Sequence, residues 1–367
     1  MALRIIRIER CSRVRGHPWV DLKQLAEISA DLSDGESVAL IDSTGYFLGC
    51  GIFDRQDPVA AWRRYSLAED IAFDEAYIAS AIVEAMHKRA EESCQRLVSS
   101  DADYLPGLIV DLFNDVARVT LETNTTRQHI DLITEVIRDN LSVTEIVIDS
   151  IEDPRTASGQ GLRGRWIEID DIEYRIDLLN TDKPAFFLDQ REQHALVGSL
   201  CEGRTVLDAF SHSGAFALQA ARAGAERVVA LDVEENYVKA IGANAQQNRC
   251  PIETVTSDAL KYISGCDAGT LDGIILDPPS CFFADRGSVE ELHRKALITC
   301  ASGGLLATYC RDNKISGQSF ERLVADAAAC AGREARVFAR TGQPFDFPSM
   351  LHLPESNLLK GLILEVE

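Results

Sequence analysis

Asp208 and Asp232 stand 24 positions apart, and each closes a short apolar run, Val206-Leu207 in one case and Val228 to Leu231 in the other. Carboxylates at the ends of two neighbouring buried strands are what a βαβ nucleotide site uses to hold ribose hydroxyls. The loop after Asp208, Phe210-Ser211-His212-Ser213-Gly214, carries a single glycine. A pyrophosphate needs several glycines so that backbone N–H groups can close on it, and a dinucleotide is therefore disfavoured. Two further residues sit where strands of the same kind should end: Asp277, opening Asp277-Pro278-Pro279, and Cys310, closing Leu305 to Tyr309. Prolines beside a carboxylate fix φ and remove N–H donors, which stiffens a loop that faces a planar base. A cysteine next to a guanidinium, here Arg311, is biased toward the thiolate, the form that attacks.

An adenosine ligand without phosphates suits these residues, and S-adenosylmethionine (SAM) is the common one. Asp232 would take the ribose and the loop backbone the amino-acid end. The full cofactor-binding set expected is Asp208, Phe210, Ser211, Ser213, Gly214, Asp232, Val233, Asp258, Ala259, Asp277, Gln190 and Arg191. The plainer reading is that Asp208 and Asp232 cap strand ends. Amino-group methyltransferases follow their two prolines with an aromatic residue, whereas this chain has Ser280, with Phe282 and Phe283 beyond it.

The elements that must position these residues alternate. Helices over Glu235 to Gln247, Val289 to Cys300 and Gln318 to Ala331 separate apolar runs at 253–256, 273–276 and 305–309, and runs near 336–339 and 359–366 close the chain. The pattern predicts a seven-stranded, doubly wound α/β sheet with an antiparallel last pair, because a loop and not a helix joins its final strands. Residues 3 to about 66 read as a small β-rich domain, with strands at 37–41 and 46–53. A helix over Asp70 to Arg96, strands at 96–98, 107–111, 116–121, 145–148 and 174–178, and a helix over 127–140 form a mixed middle segment. Asp103 to Asp111 reads first of all as a Pro-Gly corner. Asn180 to Arg191 reads as a loop that packs a ring while presenting Asp189, Gln190 and Arg191, and a helix follows over 192–200. In Pro18-Trp19, Gly35-Glu36 and Gly45 to Gly51 the order of elements resembles a PUA domain, an RNA-binding barrel, so the expected division is a PUA-like RNA-binding domain at 1–68, a small central α+β domain at 69–190 and the α/β domain at 191–367.

The net charge of −21 argues against nonspecific adhesion to nucleic acid. Residues 1–66 balance nine Lys/Arg against nine Asp/Glu, so the whole excess lies in the remainder, and an electrostatic foothold for RNA is expected around Arg4, Arg7, Arg10, Arg13 and Arg15. Ten cysteines without a C-x-x-C pair indicate neither a zinc site nor a disulfide framework, so no metal is expected. No run of about 18 apolar residues is present, and the arginine-bearing start is not followed by the apolar segment of a signal peptide. A cytoplasmic protein with no membrane partner is expected; a homodimer is left open.

The chain resembles the PUA-containing 23S ribosomal RNA cytosine-5 methyltransferases in Pro18-Trp19, Asp101-Ala102-Asp103, Leu105 to Asp111, Phe186-Phe187-Leu188-Asp189-Gln190-Arg191, Asp208 to Gly214, Asp277-Pro278-Pro279, Cys310, Asp346-Phe347-Pro348 and Pro354-Glu355-Ser356-Asn357-Leu358-Leu359-Lys360-Gly361. The resemblance implies a PUA domain, a central α/β domain and a SAM-binding catalytic domain, with Cys310 as the nucleophile. Asp277 is the expected second catalytic residue. The family's Lys-Thr-Gly is Lys183-Pro184-Ala185 here, its Ser-Cys-Ser is Tyr309-Cys310-Arg311, and its usual basic character gives way to acidity. Two other readings stand beside this one: methylation of a purine nitrogen in ribosomal RNA without the cysteine, and a noncatalytic RNA-binding assembly factor.

Overall fold

The first sheet grows from β1 (Arg4–Ile8), whose Ile6 and Ile8 are buried while Arg4 and Arg7 stay exposed. The computed structural model describes residues 3–8, 16–26, 28–29, 31–149, 162–180 and 184–367. β2 (Trp19–Val20), β3 (Leu25–Ala26), β4 (Glu36–Ile41), β5 (Phe47–Phe53) and β6 (Trp62–Ser66) complete this sheet in the order β2-β6-β5-β4-β1-β3. β1 escaped the sequence reading because two arginines interrupt its apolar residues, yet it pairs in parallel with β4.

After it come α1 (Glu75–His87), β7 (Cys94–Ser99), β8 (Leu108–Phe113), β9 (Val116–Leu121), α2 (Asn124–Gln128), α3 (Ile130–Asn140) and β10 (Glu145–Asp149), with the four strands ordered β10-β9-β8-β7. α1 is shorter than the sequence suggested. Its N-cap is Asp74, whose side chain accepts from the Tyr77 N–H, and β7 already begins at Cys94. The motif residues 101–111 form the framework here. Asp101 accepts from Trp19 Nε1 at 2.9 Å and from Arg63, Asp103 pairs with Arg89, and Asp111 pairs with Arg96 at 2.7 Å. Gly107 has φ +82°, and a Cβ there would stand 2.3 Å from Thr123 Cγ2, so the corner admits only glycine. Asp346 accepts from the Arg96 N–H at 2.8 Å, and the Arg96 guanidinium lies 4.2 Å over the Phe347 ring.

These elements make up one of two units, residues 1–163 with 178–185 and 345–356; the other comprises 164–177, 186–344 and 357–367. The second opens with the hairpin β11 (Arg165–Ile169) and β12 (Ile172–Ile176). Only its second half was legible. Its two-residue turn, Asp170-Asp171, takes positive φ at both positions without the Asn-Gly or Asp-Gly that announces such a turn.

Then follow α4 (Arg191–Ser199), β13 (Thr205–Ala209), α5 (Ala215–Arg222), β14 (Arg227–Asp232), α6 (Glu235–Gln247), β15 (Glu253–Thr256), α7 (Ala259–Ser264), β16 (Leu271–Leu276), α8 (Arg286–Thr299), β17 (Cys300–Cys310), α9 (Gly317–Ala331), β18 (Ala335–Gly342) and β19 (Lys360–Val366). The seven strands from β13 onward run in the order β15-β14-β13-β16-β17-β19-β18. β13 to β17 are parallel, and β19 is antiparallel to both β17 and β18, as the missing helix foretold. Leu207, Ile274, Leu306 and Leu364 belong to the core on one face of this sheet; Val206, Ile275, Ala307 and Ile363 belong to the core on the other. Both faces are therefore apolar, and polar chemistry is confined to the strand ends. No helix among the described residues is long and apolar enough to cross a membrane.

Candidate active site

Four predicted residues close parallel strands at one edge of this sheet: Asp208 near the end of β13, Asp232 at the end of β14, Asp277 just past β16 and Cys310 at the end of β17. The first turn is wound tightly. Phe210, His212 and Gly214 have φ of +67°, +51° and +79°, Gly214 N–H donates to Ser211 O at 2.7 Å, and Ser211 N–H donates to Leu231 O. Two non-glycine residues in the left-handed region store strain that neighbouring bonds must hold. Asp232 supplies them by accepting from the His212 N–H and the Glu234 N–H, each at 3.0 Å. Ser211 Oγ donates to Asp208 O, and Ser213 O accepts from Asn244 Nδ2. A Cβ on Gly214 would meet Ile241 Cγ2 at 3.0 Å.

The carboxylates crowd one another. Asp208 accepts from the Ala217 N–H at 3.1 Å through one oxygen, while Oδ1 is buried without a hydrogen-bond partner. Burial pushes its pKa up to about 7; Ser211 and Ala217 draw it down, and Asp277 and Asp232 push it up again. Burial raises Asp277 as well, and Arg311 and Gln190 pull the other way. A site that penalises its own negative charge suits a ligand carrying positive charge.

Residues 186–191 pack as expected, in a different arrangement. The Phe186 ring lies 4.8 Å from Tyr174 and 5.6 Å from His194. Phe187 lies 4.9 Å from His212 and stacks 3.8 Å beneath the Arg311 guanidinium, which also pairs with Asp189 at 3.0 Å. Gln190 and Arg191 are buried rather than presented. Arg311 thus pairs with Asp189 and stacks on Phe187, and the positive charge acting on Cys310 is that of Lys360.

Asp258 caps α7, its Oδ1 accepting from the Lys261 N–H at 2.8 Å, and Ala259 behind it is buried. Val233 is 58 % exposed, an open apolar surface next to Asp232 of the kind that receives a purine face. Phe282, from the short turn after the two prolines, packs 5.6 Å from Phe210.

Cys310 is completely buried. Burial raises its pKa; a backbone hydrogen bond at Asp312 and the Lys360 charge lower it, while Asp312 and Asp277 raise it. Cys281 is exposed and lies off the strand. Sequence reasoning gave no role to Lys360 or Phe187; both were visible only as members of a motif.

A SAM molecule fits these residues. Asp208 Oδ1 and Asp277 Oδ1 are buried without a hydrogen bond, polar atoms that a ligand with hydroxyl, ammonium and sulfonium groups would satisfy. The fold and this strand-end site define a SAM-dependent methyltransferase.

Residues 12–63 match the model of a PUA-like domain, and residues 189–313 match that of conserved hypothetical protein 95. The chain is similar over 96 % of its length to proteins named ribosomal RNA large subunit methyltransferase I. The one from Tolumonas auensis is 27 % identical and that from Shewanella amazonensis 28 %, with 96 % of each covered. Its fold is that of a Streptococcus mutans protein assigned as a SAM-dependent methyltransferase, with a TM-score of 0.86, 20 % identity and coverage of 99 % and 100 % of the two chains. A second solved structure, assigned as a methyltransferase and complexed with SAH, superposes with a TM-score of 0.85 at 20 % identity, over 100 % of each chain.

Proposed function

We propose that the protein methylates carbon 5 of a cytosine in large-subunit (23S) ribosomal RNA, in the cytoplasm, through a covalent adduct on Cys310. The observation that carries this reading is the rung shared by β16 and β17. Leu276 pairs with Thr308, so Asp277 lies one residue and Cys310 two residues beyond the same rung, a carboxyl group and a thiol at adjacent strand ends. The names of the full-length relatives supply the RNA, and the PUA-like match supplies a domain to hold it. We retain 1–68, 69–190 and 191–367 as the proposed functional division.

Carbon 5 of cytosine is too weak a nucleophile to take a methyl group unaided. Addition of the Cys310 thiolate at C6 forms an S–C6 bond and shifts the π electrons toward C5 and N3. Asp277, which burial keeps protonated to higher pH than usual, donates that proton to N3 and accepts from the exocyclic amine of a base turned out of its stack. SAM, when bound, would supply the electrophilic methyl, its S–CH3 bond breaking as the bond to C5 forms. Loss of the C5 proton to a base then restores the C5=C6 bond and expels the thiolate, and N3 returns its proton to Asp277. Asp232 would hold the ribose, Val233 the adenine face and Asp208 the amino end of the cofactor. Because Cys310 is covered, the incoming base must displace the groups over the sulfur.

Wild-type protein should form a denaturation-resistant adduct with RNA carrying 5-fluorocytosine, whose fluorine cannot leave as a proton does, and Cys310→Ala should form none. Near-normal turnover by Cys310→Ala would overturn the cytosine reading in favour of a purine nitrogen.

A further inference from the structure

Cys310 ends β17, Lys360 begins β19, and the antiparallel ladder makes them register partners. Residues directly opposite in such a ladder carry their side chains on the same face. Leu306 and Leu362, on that face, are buried in the same apolar core as Cys310, and Lys360 is only 9 % exposed. Its Nζ donates to Asp312 O at 2.7 Å and to Asn357 O at 3.5 Å. No carboxylate among the described residues lies within ion-pair distance of it. A buried ammonium held by carbonyls alone has lost its hydration without gaining a counter-ion, a costly state unless an anion stands nearby.

We infer that Lys360 is the positioning residue for the Cys310 thiolate: its ammonium faces the sulfur across the ladder and supplies the positive charge that a buried anion there requires. The inference rests on the cytosine reading above for its purpose, although the pairing itself does not. Among the described residues the charged surroundings leave no other candidate. Asp312 and Asp277 both oppose a thiolate. Arg311 is committed to Asp189 and Phe187. His293 of α8 is buried with its two ring nitrogens bonded to Val289 O and Thr308 Oγ1, and burial draws its pKa down to about 4, so it brings no charge. Burial lowers the pKa of Lys360, and Cys310 and Asp312 oppose that shift in part, the reciprocal of what Lys360 does for the thiol.

The test is a thiolate titration followed by ultraviolet absorbance, using the difference between each protein and its Cys310→Ser counterpart to isolate one sulfur. Wild type, Lys360→Arg, Lys360→Met and Lys360→Gln are compared; glutamine keeps a donor for the Asp312 carbonyl without the charge. The Cys310 midpoint should rise by a pH unit or more in the Met and Gln variants, a tenfold loss of thiolate at any pH below it. Lys360→Arg should stay near wild type. In parallel, kcat for methyl transfer at neutral pH should fall at least tenfold in the uncharged variants and recover as pH rises, with KM for RNA and SAM unchanged. An unshifted midpoint in either folded, uncharged variant overturns the inference. If the midpoint shifts as expected but Cys310→Ala still methylates, the charge pair stands and the cytosine reading falls.

Discussion

The Arg311 Nε stops 3.8 Å from Asp277 Oδ1. That is too far for a hydrogen bond and close enough for attraction, and the oxygen is left buried and unsatisfied. The arrangement holds the carboxyl group in place without using it up. Asp277→Asn preserves the shape and the approach of Arg311 but cannot give up a proton to a base. Single-turnover methyl transfer should fall by about 10²–10⁴-fold, the range associated with general acid catalysis, while calorimetry finds SAM affinity little changed. Equal losses in both would make Asp277 a cofactor ligand only.

Asp208 gives the site a pH signature. Its folded pKa is about 7 against an ordinary 3.8, so the folded state holds the proton more tightly than the unfolded one. Stability from this group is complete below about pH 4 and is lost as pH rises through 7. Asp208→Asn should therefore stabilise the ligand-free protein at pH 8 by about 1–3 kcal/mol and flatten its pH dependence between 4 and 7. A cation favours the ionised carboxylate, so SAM binding to wild type should release a proton near pH 7 and weaken toward pH 6. Calorimetry in buffers of different ionisation enthalpy measures that release; a pH-independent melting curve would place the charge elsewhere.

The expected RNA foothold was only partly visible. Arg4 pairs with Asp31 and Glu36, Arg55 with Asp34, and Arg63 is buried against Asp57 and Asp101. Arg10, Arg13 and Arg15 lie outside the described residues. If those three carry the phosphate contacts, changing them to glutamine should reduce the slope of log affinity against log salt by about 2 for single-stranded RNA, at roughly 0.7 per contact, and leave SAM affinity alone. An unchanged slope would remove the arginines from the interface.

The central strands β13, β14, β16 and β17 were readable because they are buried on both faces and therefore appear as continuous apolar runs, each leading to a candidate site residue, as with Asp208, Asp232, Asp277 and Cys310. β1 and the first half of the 165–176 hairpin were not, since charged residues break their alternation or their turn lacks the usual glycine. The partner of Cys310 was hidden for a different reason. Lys360 lies 50 positions later in the chain, and only the reversal of β19 brings it opposite the sulfur. Arg311, one position away, was the obvious neighbour, and its guanidinium pairs with Asp189 and lies over Phe187.

The mutual repulsion of Asp208, Asp232 and Asp277 also bears on what happens once the methyl has gone. SAM carries a fixed positive charge on sulfur, and the thioether left behind carries none. Carboxylates beside the sulfur would favour the sulfonium over the thioether, so the same acidity that burdens the empty protein would ease release of the spent cofactor.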